Sequence, residues 1–166
     1  LVYPCFCSRS ELHAAEAPHA SDGRIIYAGT CRELTTAQRS AKMQQRRPAW
    51  RIKVNDELIA FTDMHYGRQQ ANLAHECGDF ILRRSDEVYA YQLAVVIDDA
   101  LMGVTEVIRG DDHTSNTPKQ IVLYEALGFK VPKFYHVPMI LGEGGKKLSK
   151  RDGAADVMEY KTLGYL

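Results

Sequence analysis

Apolar and polar residues alternate over Trp50-Arg51-Ile52-Lys53-Val54, and a second apolar-rich run follows at Leu58-Ile59-Ala60-Phe61-Thr62. Each predicts a short strand, and the turn pair Asn55-Asp56 between them predicts a β-hairpin. Asp63 to Gly67 reads as a further turn. Asp79-Phe80-Ile81-Leu82-Arg83-Arg84 reads as another strand, closed by Ser85-Asp86-Glu87. Residues 49–88 are therefore expected to form a small β-rich lobe. Beyond it the period lengthens. Gln92 to Leu101 carries apolar residues at helical spacing, Val104 to Ile108 is a compact β-branched strand, and Thr117 to Leu127 is an amphipathic helix. Pro118 at N1 opens that helix and Gly128 closes it. Phe134 to Ile140 predicts the next strand.

Strand, helix and strand in succession make a βαβ unit, whose parallel strands put ligands at their carboxyl ends. Arg109-Gly110-Asp111-Asp112-His113 lies at one such end, and the loop leading to Lys147 follows the other. Two polar clusters far apart in sequence then share one crevice. Upstream, Ser10-Glu11-Leu12 predicts a short helix start, and Thr35-Thr36-Ala37-Gln38 a polar helix that ends at Arg47-Pro48. The fold class is α/β, in three intervals at 1–48, 49–88 and 89–166.

Composition narrows the function classes. The chain has 166 residues, 45% of them hydrophobic, with 21 basic and 21 acidic side chains. No global basic field drives nucleic-acid binding, so such contact has to come from local patches such as Lys42 to Arg51. No apolar run approaches the ~20 residues that span a bilayer. A cytoplasmic address, a monomer and no membrane partner are the expectations. The chain opens on Leu1-Val2-Tyr3-Pro4 and closes on Gly164-Tyr165-Leu166, and reads as a piece of something longer.

Cys5 and Cys7 form a C-x-C pair, with Cys31 further on and Cys77 apart. In a reducing compartment such a pair points to metal, and tetrahedral Zn²⁺ asks for four ligands. Cys31 is a third. The chemical candidates for the fourth are Tyr27, at Y-x-x-x-C spacing, and His13 or His19. Histidine is the usual ligand, whereas tyrosine has to lose a proton near pKa ~10. Cys77 is expected to be plain core.

Lys147-Leu148-Ser149-Lys150-Arg151 follows the Gly-rich turn Gly142-Glu143-Gly144-Gly145. Three cations and a hydroxyl after glycines, which can take positive φ, can close on a polyphosphate and neutralise charge as phosphorus is attacked. A solvated basic hairpin tip is the alternative, and the shared crevice favours the clamp. In the opposing turn, Arg109 offers a planar fork for a carboxylate, while Asp111, Asp112 and His113 can bind ribose hydroxyls or an amine. Asp98-Asp99, at a helix end, is read as making local hydrogen bonds rather than holding a metal.

Val107 to His113, Asn116 to Gln120, His136-Val137-Pro138 and Lys147 to Arg151 together resemble the second half of the class I glutamyl-tRNA synthetase catalytic domain. The resemblance implies the C-terminal half of a Rossmann-type catalytic domain with an inserted zinc-binding and β-rich acceptor-binding lobe. It makes the lysine loop a version of the "KMSKS" signature, with Lys150 and Lys147 catalytic and Lys150, Asp112 and His113 on ATP with its Mg²⁺. It also makes Tyr91 and Arg109 glutamate-binding residues. Cys5-x-Cys7, Tyr27-x-x-x-Cys31, Arg47 to Arg51 and Gly78 to Arg84 resemble more narrowly the glutamyl-Q tRNA(Asp) synthetases. Those enzymes attach glutamate to the queuosine base of tRNA(Asp), and their zinc ligands imply Cys5, Cys7, Tyr27 and Cys31 here.

Four residues after Tyr91, where tRNA-charging glutamyl enzymes often have Asn, stands Val95, as in the queuosine-directed relatives. Gly110 to His113 and Lys150-Arg151 look instead like the full-length enzyme, so charging of tRNA(Glu) is the runner-up. A zinc-stapled, non-catalytic RNA-binding module is a more distant alternative. The family's first ATP motif, H-I-G-H-like, is absent, and so is the acidic residue that would hold the glutamate amine. The chain alone is therefore expected not to activate glutamate; ATP-pyrophosphate exchange by it would contradict that.

Overall fold

The computed structural model describes residues 1–12, 25–142, 145 and 157–164. Lys147, Lys150, His13 and His19, and with them the lysine loop and the two candidate histidine ligands, lie outside the described residues. The elements are β1 (Val2–Cys5), α1 (Arg9–Leu12), α2 (Thr36–Gln45), β2 (Ala49–Ile52), β3 (Ile59–Asp63), β4 (Gly67–Ala71) and α3 (Leu73–Glu76). They continue as β5 (Phe80–Arg83), α4 (Tyr91–Leu101), β6 (Glu106–Gly110), a 3₁₀ turn (Asp111–Asn116), α5 (Thr117–Ala126), β7 (Lys133–Val137) and α6 (Val157–Thr162). Among the described residues no helix is long and apolar enough to cross a membrane.

Two sheets form. One is antiparallel, in the order β1-β2-β5, and the other is mixed, in the order β4-β3-β7-β6. The expected hairpin between residues 50–54 and 58–62 does not occur, because β2 and β3 enter different sheets. β2 is already paired on both edges, with Ile52 opposite Val2 and opposite Phe80. Just beyond it, the Lys53 amide donates to the Leu1 carbonyl at 2.8 Å and the Val54 amide to Asp79 Oδ1 at 2.8 Å. With its donors taken, the segment cannot fold back on Leu58 to Thr62. The hairpin lies one turn later, between β3 and β4, where Asp63 Oδ1 accepts the His65 and Tyr66 amides at 3.0 and 2.9 Å. That is the Asp63 to Gly67 turn expected from the sequence, with Gly67 at φ +71°.

β6 and β7 pair in parallel around α5, as the βαβ pattern predicts. β6 begins two residues late because α4 ends in a left-handed Gly103 (φ +70°), and the Val104 amide closes on the Asp99 carbonyl at 2.9 Å. β7 stops at Val137 because Pro138 has no amide to donate.

One apolar core joins both sheets to the helices, through Ile52, Val54, Leu73, Phe80, Leu82, Val96, Ile121, Leu123, Tyr124 and Phe134. Cys77 packs against it, as expected. α5 is buried on its polar side as well, where Gln120 donates to Gln92 at 3.0 Å and Gln92 to Asn116 at 2.7 Å. A second, smaller core holds Tyr3, Cys5, Phe6, Tyr27 and Cys31. α2 buries no residue and rests on its capping box, in which Thr35 and Gln38 satisfy each other's amides.

Asp79, 1% exposed, ties the small core to the large one. Its carboxylate accepts the Tyr3 hydroxyl, the Arg32 guanidinium through two nitrogens, and the Val54 amide. Burial pushes this carboxyl's pKa up, but the bonds from Arg32, Tyr3 and Val54 outweigh burial and hold it below the usual carboxylate range. A carboxylate whose folded pKa lies below its unfolded value of ~3.9 stabilises the fold above that pH, and the contribution fades as pH falls through the folded pKa. Asp79→Asn should cost about 2–4 kcal/mol at neutral pH, the low side for a broken buried pair because Arg32 keeps some solvent access. Urea denaturation across pH should show the gap between the two proteins closing below pH ~4.

Candidate functional site

β6 ends in Arg109 and Gly110, and the chain passes through the 3₁₀ turn directly into α5. In the parallel register Arg109 stands beside His136 of β7, so the two side chains share a face. The Arg109 guanidinium donates from Nε to His136 Nε2 at 3.0 Å and from Nη2 to Thr117 Oγ1 at 2.8 Å. It also lies 5.4 Å over the Phe134 ring. Burial pulls the Arg109 pKa down, and Tyr91, Asp99 and Tyr124 nearby pull it the other way. An arginine starts so high that it keeps its charge.

His136 is itself fully buried, with Nδ1 2.6 Å from Asp63 Oδ2. Burial raises the Asp63 pKa, but bonds from the Tyr66 and His65 amides and from His136 bring it below the ordinary range.

The remaining residues expected on this crevice lie at the start of α4 and in the 3₁₀ turn after β6. Tyr91, the first residue of α4, is half exposed, with its ring 6.1 Å from that of His113. The Asn116 amide holds His113 Nδ1 at 3.3 Å. Asp112 folds back over Gly110: a Cβ there would sit 2.8 Å from Asp112 Oδ1 and 2.6 Å from Met139 Sδ, so the turn accepts only glycine without rearrangement. Asp111 accepts the Tyr66 hydroxyl at 2.9 Å, tying the β3–β4 turn to this one.

The structure thus brings Tyr91, Arg109, Asp112 and His113 to the carboxyl end of β6. Asp63, His136 and Thr117 complete the arrangement, and sequence reasoning gave none of them a role. A signal existed: His136 shares a strand face with the core residue Phe134, and a polar side chain on an apolar face needs a partner.

The second cluster is built by β1. It delivers Cys5 at its end, the buried Phe6 turns the chain, and Cys7 comes back toward the Tyr27–Cys31 turn. The Sγ atoms of Cys5, Cys7 and Cys31 all lie within 4.8 Å of one another. Cys7 and Cys31 are 3.6 Å apart, and Tyr27 Oη lies 3.4 Å from Cys5 Sγ and 3.9 Å from Cys7 Sγ. Three sulfurs and a phenol oxygen at such spacing fit a four-coordinate thiophilic ion. Gly78, at φ +65°, makes room for this: a Cβ would meet the Tyr27 carbonyl oxygen at 2.3 Å. The Arg51 guanidinium stacks 3.8 Å over the Tyr27 ring and donates to the Asp79 carbonyl.

A cavity of about 500 Å³ beside the cluster is lined by Cys5, Cys7, Arg46, Arg51, Arg84 and Asp86 among others, and it carries local positive charge. Burial and the neighbouring sulfurs push the Cys7 thiol up to about 12, and burial together with Cys5 raises the Tyr27 phenol as well.

Comparison with known proteins agrees with these shapes. A family model described as tRNA synthetases class I (E and Q), catalytic domain, matches residues 1–166. A glutamyl-Q tRNA(Asp) synthetase of Nitratidesulfovibrio vulgaris is 48% identical over 165 residues, 98% of this chain and 51% of that protein. A glutamate–tRNA ligase of Campylobacter concisus is 52% identical over 168 residues, 99% of this chain and 36% of that one. The chain thus spans about half, or about a third, of the length of these relatives. Among solved structures, a glutamate tRNA ligase from Elizabethkingia meningosepticum in complex with its amino acid superposes with a TM-score of 0.75 at 29% identity. That match covers 92% of this chain and 32% of the other.

Since Cys7 and Tyr27 are both held protonated, an ion can bind only by displacing their protons. Adding Zn²⁺ in a weakly buffered indicator solution should release protons. The affinity read by chelator competition should rise with pH between about pH 6 and pH 8, and Cys31→Ser should weaken it at least about tenfold.

Proposed function

Because the chain belongs to the class I tRNA synthetase (E and Q) catalytic-domain family, we propose that it supplies part of a site that activates glutamate with ATP and transfers it to the queuosine base of tRNA(Asp). The observation that carries this reading is Arg109, a half-buried guanidinium at the carboxyl end of β6 with Tyr91 and His113 beside it. A fork so placed takes a carboxylate in two parallel hydrogen bonds, and Tyr91 adds a phenol beside it.

In the reaction a glutamate carboxylate oxygen attacks the α-phosphorus of ATP in line, the bond to pyrophosphate breaks, and glutamyl adenylate forms. Catalysis of such a step is positioning and charge stabilisation, with no enzyme nucleophile required. Lys150 and Lys147 take up charge on the phosphates, Asp112 and His113 contact ATP, and Mg²⁺ accompanies the nucleotide. Cys5, Cys7, Tyr27 and Cys31 hold one structural Zn²⁺, which would cross-link β1 to the Tyr27–Cys31 turn. The arginines around the 500 Å³ cavity are the local patch for RNA phosphates.

Charging of tRNA(Glu) is the second reading. It is favoured by relatives called glutamate–tRNA ligase at 46–52% identity and by the Gly110 to His113 sequence.

Two measurements on the complete gene product test these readings. Radiolabelled glutamate should transfer to queuosine-containing tRNA(Asp) and not to tRNA(Glu); the reverse outcome establishes the second reading in its place. Lys150→Ala should lower kcat by about 10²-fold while the KM for glutamate moves little, since the ammonium acts on charge that develops only in the transition state. Equal losses in both would argue against that role.

A further inference from the structure

Asp63, His136 and Thr117 are 1%, 0% and 0% exposed; His136 and Thr117 contact Arg109, and Asp63 lies behind His136. All five guanidinium N–H groups are donors and none is an acceptor. With Arg109 Nε 3.0 Å from His136 Nε2, that imidazole nitrogen must present its lone pair. The ring proton then sits on Nδ1, facing Asp63 Oδ2 at 2.6 Å. Asp63 cannot turn away, because Oδ2 also takes the His136 amide at 3.2 Å and Oδ1 takes the His65 and Tyr66 amides. Thr117 Oγ1 accepts from Arg109 Nη2 at 2.8 Å and lies 3.3 Å from His136 Nε2.

We propose that Asp63 and His136 are positioning residues, a buried couple that locks one imidazole tautomer so that the neutral ring holds Arg109 in place without neutralising it. The inference rests on the reading of Arg109 as a receptor for the glutamate carboxylate. An aspartate in direct contact would form an ion pair and consume the charge that the substrate needs. The interposed imidazole passes on the orientation and leaves the cation unpaired by Asp63. Two of the five donors are taken by Nε2 and Oγ1, which leaves three on the Nη1 and Nη2 end of the fork for a carboxylate.

The test uses the complete gene product, labelled with ¹⁵N-histidine, with the His136 signals identified by their loss in His136→Gln. At about pH 7 Nδ1 should carry the proton and Nε2 should resonate as an unprotonated nitrogen. In pyrophosphate release with tRNA present, His136→Leu should raise the KM for glutamate about tenfold or more and leave the KM for ATP within about twofold. His136→Gln, whose carbonyl can accept from Arg109, should recover most of that loss.

A protonated Nε2 in the unmutated protein overturns the proposal, and this result does not depend on any variant folding. So does an unchanged glutamate KM in His136→Leu when Arg109→Ala raises it. If Arg109→Ala itself leaves the glutamate KM unchanged, the glutamate reading fails, and the positioning role falls with it.

Discussion

The carboxylate of Asp79 is the point on which the smaller half of this structure depends. It sits between Gly78 and β5 and gathers a hydroxyl from β1, a guanidinium from the turn after Cys31 and an amide from the chain leaving β2. Its own carbonyl takes Arg51. Three of these four partners lie close to a sulfur or the phenol of the small cluster: Tyr3 is two residues before Cys5, Arg32 follows Cys31, and Arg51 covers Tyr27. Charge-assisted hydrogen bonds contribute roughly 1.5–3 kcal/mol each when buried and satisfied. The fourfold convergence of Cys5, Cys7, Tyr27 and Cys31 is thus arranged by a group that is not one of them.

Two buried carboxylates meet two arginines in this chain, with opposite results. Asp79 binds Arg32 directly, both charges are consumed, and the pair is purely structural. Asp63 is kept from Arg109 by the width of one imidazole, and the cation stays available at the carboxyl end of β6. The difference follows from topology. Arg109 and His136 are register partners in parallel strands, whereas Asp63 closes β3 on the far side of β7. Sheet order therefore decides which arginine meets a buried carboxylate directly and which meets a neutral ring in its place.

The elements whose signals are local were readable from sequence. The βαβ unit around α5, the turn from Asp63 to Gly67, the strand at Phe80 and the capped helix at Thr36 all follow from periodicity and turn chemistry. The place of the Gly110 to His113 turn at the carboxyl end of β6 was readable too, since the end of a parallel strand leads into its crossover. The partner of β2 was not, because alternation in a strand says which face is buried and nothing about which strand lies beside it. Leu1 and Asp79 claimed the amides that a hairpin would have used, and both lie far away in sequence. Asp63 and His136, 73 residues apart, were hidden for the same reason. Their pairing is a property of sheet order, and no single window of sequence contains it.

The Tyr3–Asp79 bond spans 76 residues, and this matters for how the protein is made. At about 5–20 residues per second, β1 leaves the ribosome roughly 4–15 s before the carboxylate that anchors it exists. In the first part of that interval Cys5 and Cys7 have neither β2, the strand that pairs with β1, nor the core completed by Tyr27 and Cys31. Tyr27 and Cys31 emerge well before Asp79, so the three sulfurs and the phenol can meet before either sheet closes. An ion captured at that stage would shorten the loop that the late contacts have to close, and so assist folding as well as stabilise its product.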